Sequence, residues 1–211
     1  MMRSMLWTAV AICLALASVG CSRSPQINFY TLTPAAVAQS SAPQPAVASS
    51  PAFQGASSAR ALPVVAIGPI TLPEVVDRPQ MVVQAGPNEV KILETKRWAE
   101  PLKSGIPRFM AREIGRQLAS RRVFSYLEMT GAAADYRVLV DFSRFDSQPG
   151  EAVTVEADWT VRHQGKAARA GHSLVRQKIQ GEGYDALVAA YSAALSVLSA
   201  EVASGLQALT P

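Results

Sequence analysis

The sequence predicts an α+β fold: a mixed, largely antiparallel sheet that contains a three-strand meander, with two main helices packed on it. Three observations carry this expectation. Residues 136–145, 152–163 and 169–179 are strand-length runs separated by turn residues. The middle run alternates with period two, placing Val153, Val155, Ala157, Trp159 and Val161 on one face and Thr154, Glu156, Asp158, Thr160 and Arg162 on the other. Such a sheet has one dry and one wet face. Finally, residues 104–118 and 184–206 carry apolar residues at three- and four-residue spacing, the pattern of helices with one buried stripe.

Residues 1–20 read as an export signal: Arg3 supplies the positive start, Met5 to Ala17 the apolar run, and Ser18-Val19-Gly20 the small residues. That run is too short to span a bilayer, and no later stretch is expected to span one. Cys21 follows directly, where bacterial lipoproteins carry their lipid, although Ser18 stands where a lipobox usually has Leu. Cleavage by an ordinary signal peptidase, leaving Cys21 as a free thiol, is the alternative. Cys13 lies in the apolar run, so the mature chain keeps one cysteine and forms no internal disulfide. The roughly 180 remaining residues suffice to bury a core unaided, and one domain, 28–211, is expected after an anchor and tether at 21–27.

Asn28 to Leu32 reads as a short strand. Thr33 to Pro63 is rich in Pro, Ala, Ser and Gln, has no acidic residue, and has Arg60 as its single basic one. Such a composition does not repay the entropy of ordering, so this segment is expected to be flexible, as a tether or as a loop inserted after the first strand. Leu62 to Ile67 is an apolar run suited to a strand buried on both faces. Gly68 to Gln80 follows, with Pro69, Pro73 and Pro79, and reads as a rigid shaped loop rather than a central strand. Asp77, Arg78, Pro79 and Gln80 are its candidate contact residues, and the alternative is that Asp77 and Arg78 pair with each other or cap the loop. Met81 to Glu94 breaks at Gly86-Pro87-Asn88, and Arg97-Trp98-Ala99-Glu100-Pro101-Leu102 then leads into a helix. Trp98 is either a contact residue at the helix entrance or a core filler.

The first helix is expected to take Ser104 as its N-cap and Pro107 in its first turn, with Ile106, Phe109, Met110, Ile114 and Leu118 as its core stripe. Arg108, Arg112 and Arg116 stack at four-residue intervals, with Arg121-Arg122 beyond them. This basic ridge suits phospholipid head groups or an acidic partner, or else is a solvated face that Glu113 partly offsets. Nucleic acid is excluded, because the basic residues are dispersed and the net charge is only +4. Asp146 to Gly150 and Gln164-Gly165 make the turns of the meander. The last helix buries Tyr184, Leu187, Val188, Tyr191, Leu195, Leu198, Val202 and Leu206, while its other side carries small residues, among them Ser192, Ser196 and Ser199. Either that side is a partner interface or the helix is buried on two sides.

Catalytic machinery is not visible. The turn at Gln164-Gly165 pairs His163 near Lys166 and His172 near Ala157, too far apart for a metal pair. Glu156 and Asp158 fit an exposed hairpin face better than an acid/base pair. Gly171-His172-Ser173-Leu174-Val175 lacks the second glycine of a nucleophile elbow, and no phosphate-binding glycine loop occurs. No enzyme is expected, and no cofactor or metal beyond a covalent lipid on Cys21.

The phrases from Gly68 to Gln80 and from Arg97 to Leu102 carry a resemblance. With the strand before them and the helix after, they resemble the PqiC-type family, auxiliary lipoproteins of ABC-type and MCE-type transport systems, over Asn28 to about Leu206. The resemblance implies a strand at 28–32 that belongs to the sheet, making the Pro-rich segment a loop. It implies an accessory subunit of an intermembrane lipid transport system that docks to an MCE-type periplasmic protein and assembles as a homo-oligomeric ring. Because Ser22 rather than Asp follows Cys21, it also implies the periplasmic face of the outer membrane. The alternative is a periplasmic lipid carrier with a cleft lined by Trp159, Val161 and helix residues.

Overall fold

The structure is a computed structural model that describes residues 25–34, 63–129 and 133–209. The expected signal peptide, Cys21 and most of the tether and Pro-rich segment lie outside these residues. The described chain runs β1 (Asn28–Tyr30), β2 (Val65–Thr71), β3 (Gln80–Gly86), β4 (Glu89–Trp98), α1 (Leu102–Gln117), β5 (Val123–Ser125), β6 (Tyr136–Gln148), β7 (Ala152–His163), β8 (Lys166–Lys178) and α2 (Gly183–Gln207).

The strands form two mixed sheets, and with the helices they make an α+β fold. In the three-stranded sheet, ordered β1-β4-β3, β1 runs parallel to β4 and β3 antiparallel to it. In the five-stranded sheet, ordered β5-β2-β6-β7-β8, β2 is parallel to both neighbours, and β6, β7 and β8 are the antiparallel meander. The alternation in β7 holds on its dry face, where Val153, Val155, Ala157, Trp159 and Val161 are all buried, but Thr154, expected on the wet face, is buried too. Helix α1 packs over β2 and β5, α2 over β7 and β8, and the helices touch each other. The small sheet meets the large one where β3 approaches β6, so one buried cluster runs through both sheets and both helices. Each buried aliphatic side chain contributes roughly 1.5–3 kcal/mol to that cluster.

Several elements differ from expectation. β2 does not stop at Ile67 but continues through Gly68-Pro69 to Thr71, as an inner strand. Its ladder with β6 shifts register between Ile67 and Ile70, so Pro69 sits in the irregularity, where its missing N–H costs no regular bond. Gly68 has φ +102, and a side chain there would lie 2.4 Å from the Tyr126 ring, so only glycine suits the position. Helix α1 begins at Leu102, not after Ser104, because Pro101 (φ −55, ψ 132) turns the chain in and its carbonyl accepts from Ser104 and Gly105 N–H, both at 2.9 Å. Pro107 is therefore inside the helix, where it withholds the bond that the Lys103 carbonyl would receive. In the meander, an extra residue on β8 shifts register between Val161 and Arg162, which sets His172 opposite Asp158 instead of Ala157.

Helix α2 is the largest correction. Its 25 residues are long and apolar enough by composition to cross a membrane, contrary to the expectation that no later stretch would be. Most of them are buried against the sheet and α1, which makes α2 a core helix. Ser192 (6% exposed) and Ser199 (0%) face the protein's own interior, so these two are not an outward partner interface. The Ser192 hydroxyl accepts from the Thr33 N–H at 3.3 Å, where the chain leaving β1 meets the helix. Ser196 is half-buried, and its hydroxyl oxygen is buried.

Candidate functional site

Two segments that are far apart in sequence make one cleft. The turn before β3 is closed on itself: Val76 and Asp77 N–H donate to the Pro73 carbonyl at 3.0 and 3.3 Å, and Arg78 N–H to Val76 at 2.8 Å. It is then joined to the end of β4, where Trp98 N–H donates to the Pro79 carbonyl at 2.8 Å and Gln80 pairs with Arg97. On the far side, Ala99 N–H donates to the Tyr30 carbonyl of β1 at 2.8 Å. The result is an open cleft of about 290 Å³ lined by residues 77–79 and 98–102.

Trp98 is 7% exposed and forms part of the core as well as lining the cleft. Its ring meets Tyr191 edge-on at 5.8 Å, and Tyr191 stacks on Phe145 at 4.4 Å. Aromatic pairs in these geometries add about 0.5–1.5 kcal/mol beyond their burial, so the cleft has a stiff floor. Burial pushes the Tyr191 phenol well above its ordinary pKa.

The charges around the cleft are mostly paired, though not as the sequence suggested. Asp77 bonds Lys103 at 2.6 Å, not Arg78. Glu100 bonds Arg108 at 2.6 Å, and Glu128 stands 3.8 Å from the same guanidinium. Gly105 gives Glu100 room to lie along the first turn of α1, since a side chain there would sit 3.2 Å from the Glu100 Cγ. Gln80 reaches Glu94 at 3.3 Å. Arg78 is half-buried, and its Nε is buried without a hydrogen-bond partner.

The proposed basic ridge is largely neutralised. Arg108 is engaged as described, and Arg116 bonds Glu113 at 3.0 Å, a carboxylate only 3% exposed, which raises the Arg116 pKa. Arg112 directs its Nε to the Arg108 carbonyl at 3.4 Å and has no carboxylate partner among the described residues. Sequence reasoning missed Lys103 and Glu128: neither recurs at a spacing that flags a pair, and only the fold brings them to Asp77 and Arg108.

Elsewhere, His172 bridges Asp158 (Nδ1, 3.0 Å) and Glu156 (Nε2, 3.4 Å) on the outer face of the sheet. No group of three potential ligands suited to a metal forms among the described residues. The Trp159 ring fills the space that a lipid cleft beside Val161 would need. It lies across Gly171, where a side chain would come within 2.3 Å, and reaches Gly205 of α2, where one would come within 2.8 Å. Its Nε1–H donates to the Ser173 hydroxyl at 3.1 Å.

Both cleft segments lie inside a single family match: the profile of the ABC-type transport auxiliary lipoprotein component covers residues 30–203. The chain belongs to that family. Membership as an auxiliary component points to a non-enzyme. No curated protein matches the chain. Among solved structures, this auxiliary lipoprotein component is similar to an uncharacterized protein at 19% identity and TM-score 0.61, over 68% of this chain and 92% of that one. It is also similar to a Xanthomonas campestris protein of family DUF330 at 19% identity and TM-score 0.58, over 71% of this chain and 89% of that one. At that identity, these likenesses speak for the fold.

Proposed function

We propose that this protein is the accessory lipoprotein subunit of an MCE/ABC-type intermembrane lipid transport system. A lipid on Cys21 holds it at the periplasmic face of the outer membrane, and the cleft docks the periplasmic transport component. The observation that carries this reading is the convergence of the two family phrases, through residues 77–79 and 98–102, on one cleft with a rigid floor. A docking surface that is fixed before the partner arrives loses little entropy on binding. The small-residue face of α2 contributes at most around Ser196, since Ser192 and Ser199 are buried. ATP hydrolysis belongs to partner subunits. The carrier alternative finds no support in the interior around Trp159.

The test is crosslinking in intact envelopes, with recovered proteins identified by mass spectrometry, for the native chain and for Cys21→Ala. Recovery of an MCE-type periplasmic protein with the native chain, and release of the Cys21→Ala form into the periplasm, are the expected outcomes. Unchanged membrane association of Cys21→Ala would remove the lipid anchor from the scheme. Recovery of phospholipid alone would favour a carrier. The double exchange Asp77→Lys with Arg78→Glu abolishes capture in a folded protein if the cleft is the dock.

A further inference from the structure

The cleft carries a positive charge that no described residue neutralises. Of its two acidic residues, Asp77 is taken by Lys103 and Glu100 by Arg108. Arg78, between them, makes no ion pair with any described residue, and its Nε has no acceptor although it is buried. Outside the described residues the sequence holds no Asp or Glu: all 16 acidic residues of the chain are described. No acidic side chain of this protein is therefore left to complete Arg78. Surface arginines such as Arg121 and Arg122 need no partner, because water serves them. The Nε of Arg78 is shut off by the chain's own atoms, so the guanidinium of this half-buried residue meets a partner through its Nη groups, beside apolar walls that water serves poorly.

The surroundings say what the acceptor should look like. Pro79, Trp98, Pro101 and Leu102 give the cleft apolar walls beside the guanidinium. Its volume of about 290 Å³ lies at the lower end of small-ligand pockets, enough for one or two side chains and too small for an acyl chain. The two Nη groups of a guanidinium match a planar carboxylate with two parallel bonds.

We propose that Arg78 is the receptor for a single carboxylate side chain carried, next to an apolar residue, on a segment of the protein partner. This deepens the docking reading and rests on it: it names the chemistry that enters the cleft. Asp77 and Glu100, held by their own cations, flank the site and reject a segment with further acidic residues beside the first.

The test uses the full chain purified from envelopes in detergent, ¹⁵N-labelled, with the Arg78 Nε–H resonance as the readout. The probes are N-acetyl-leucyl-glutamate amide and its glutamine counterpart, which differ only in the carboxylate. Saturable movement of the resonance with the glutamate peptide, at an affinity about tenfold above the glutamine peptide, is expected. Arg78→Lys keeps the charge and loses the two-bond edge; followed by the Trp98 and Leu102 amide resonances, it should bind the glutamate peptide about tenfold more weakly. Equal response to both peptides, response to neither up to their solubility limit, or undiminished binding by Arg78→Lys overturns the proposal. Tighter binding of short-chain phosphatidylglycerol than of the glutamate peptide also overturns it, and makes the site one for lipid phosphate. Envelope capture of the transporter without peptide discrimination would sink the carboxylate while leaving the dock. Discrimination without capture would do the reverse.

Discussion

At residue scale, Trp159 is laid across Gly171 of the neighbouring strand, with its far edge on Gly205, and leaves no room for a side chain at either glycine. Gly171→Val should push the ring off its seat and cost about 1–3 kcal/mol, seen as a lower urea midpoint at unchanged slope. An unaltered midpoint would mean that the ring has room to spare. The alternation of β7 made the direction of Trp159 legible, but the glycine beneath it depends on a register that a single bulge decides. The same holds for the charged residues. Asp77 and Arg78 were recognisable as side chains carried on a stiff turn, because three prolines frame them. That Asp77 chooses Lys103 over its own neighbour was not legible, since it depends on where α1 begins, and its N-cap moved by three residues, from Ser104 to Pro101.

At element scale, α2 shows why composition alone left two readings open. A row of small residues on a helix permits close approach, but the pattern does not say by which surface. Here the approach is internal: Ser199 is fully buried, while Val197, two positions away, is 43% exposed. Ser199→Leu should therefore destabilise the domain by about 1–3 kcal/mol through overpacking, whereas Val197→Asp should stay within about 0.5 kcal/mol. Thermal unfolding of the two variants side by side decides this, and the opposite order would return the face to solvent. The meander was legible element by element, because periodicity and turn residues are local signals. The passage of β2 through Gly68-Pro69 was not. A proline argues against an inner strand unless a bulge excuses it, and the bulge arises from pairing with β6, 70 residues or more further on.

At the scale of the whole molecule, Tyr191 joins the parts: it reaches from α2 to Phe145 in the large sheet and to Trp98 in the small one. Its phenol is held neutral by burial, with a pKa above the unfolded value of 10.0. The unfolded chain therefore loses this proton first as pH rises. The stability that the neutral phenol contributes is complete below about pH 10 and drains away above it. Denaturant midpoints followed from pH 8 to 11 should fall more steeply for the native chain than for Tyr191→Phe. Identical slopes would assign the alkaline loss to other groups.

The short strand β1 carries a mechanical consequence. Its three residues pair with Lys96, Arg97 and Trp98 in the same direction as β4, and its last carbonyl holds Ala99. A pull applied to the chain upstream of Asn28 runs along the strand axis and loads these bonds together, as a lap joint does, rather than peeling them one at a time. The joint ends on Trp98 and Ala99, which also line the cleft. Tension on the chain upstream of Asn28 is thus delivered to the wall of the site.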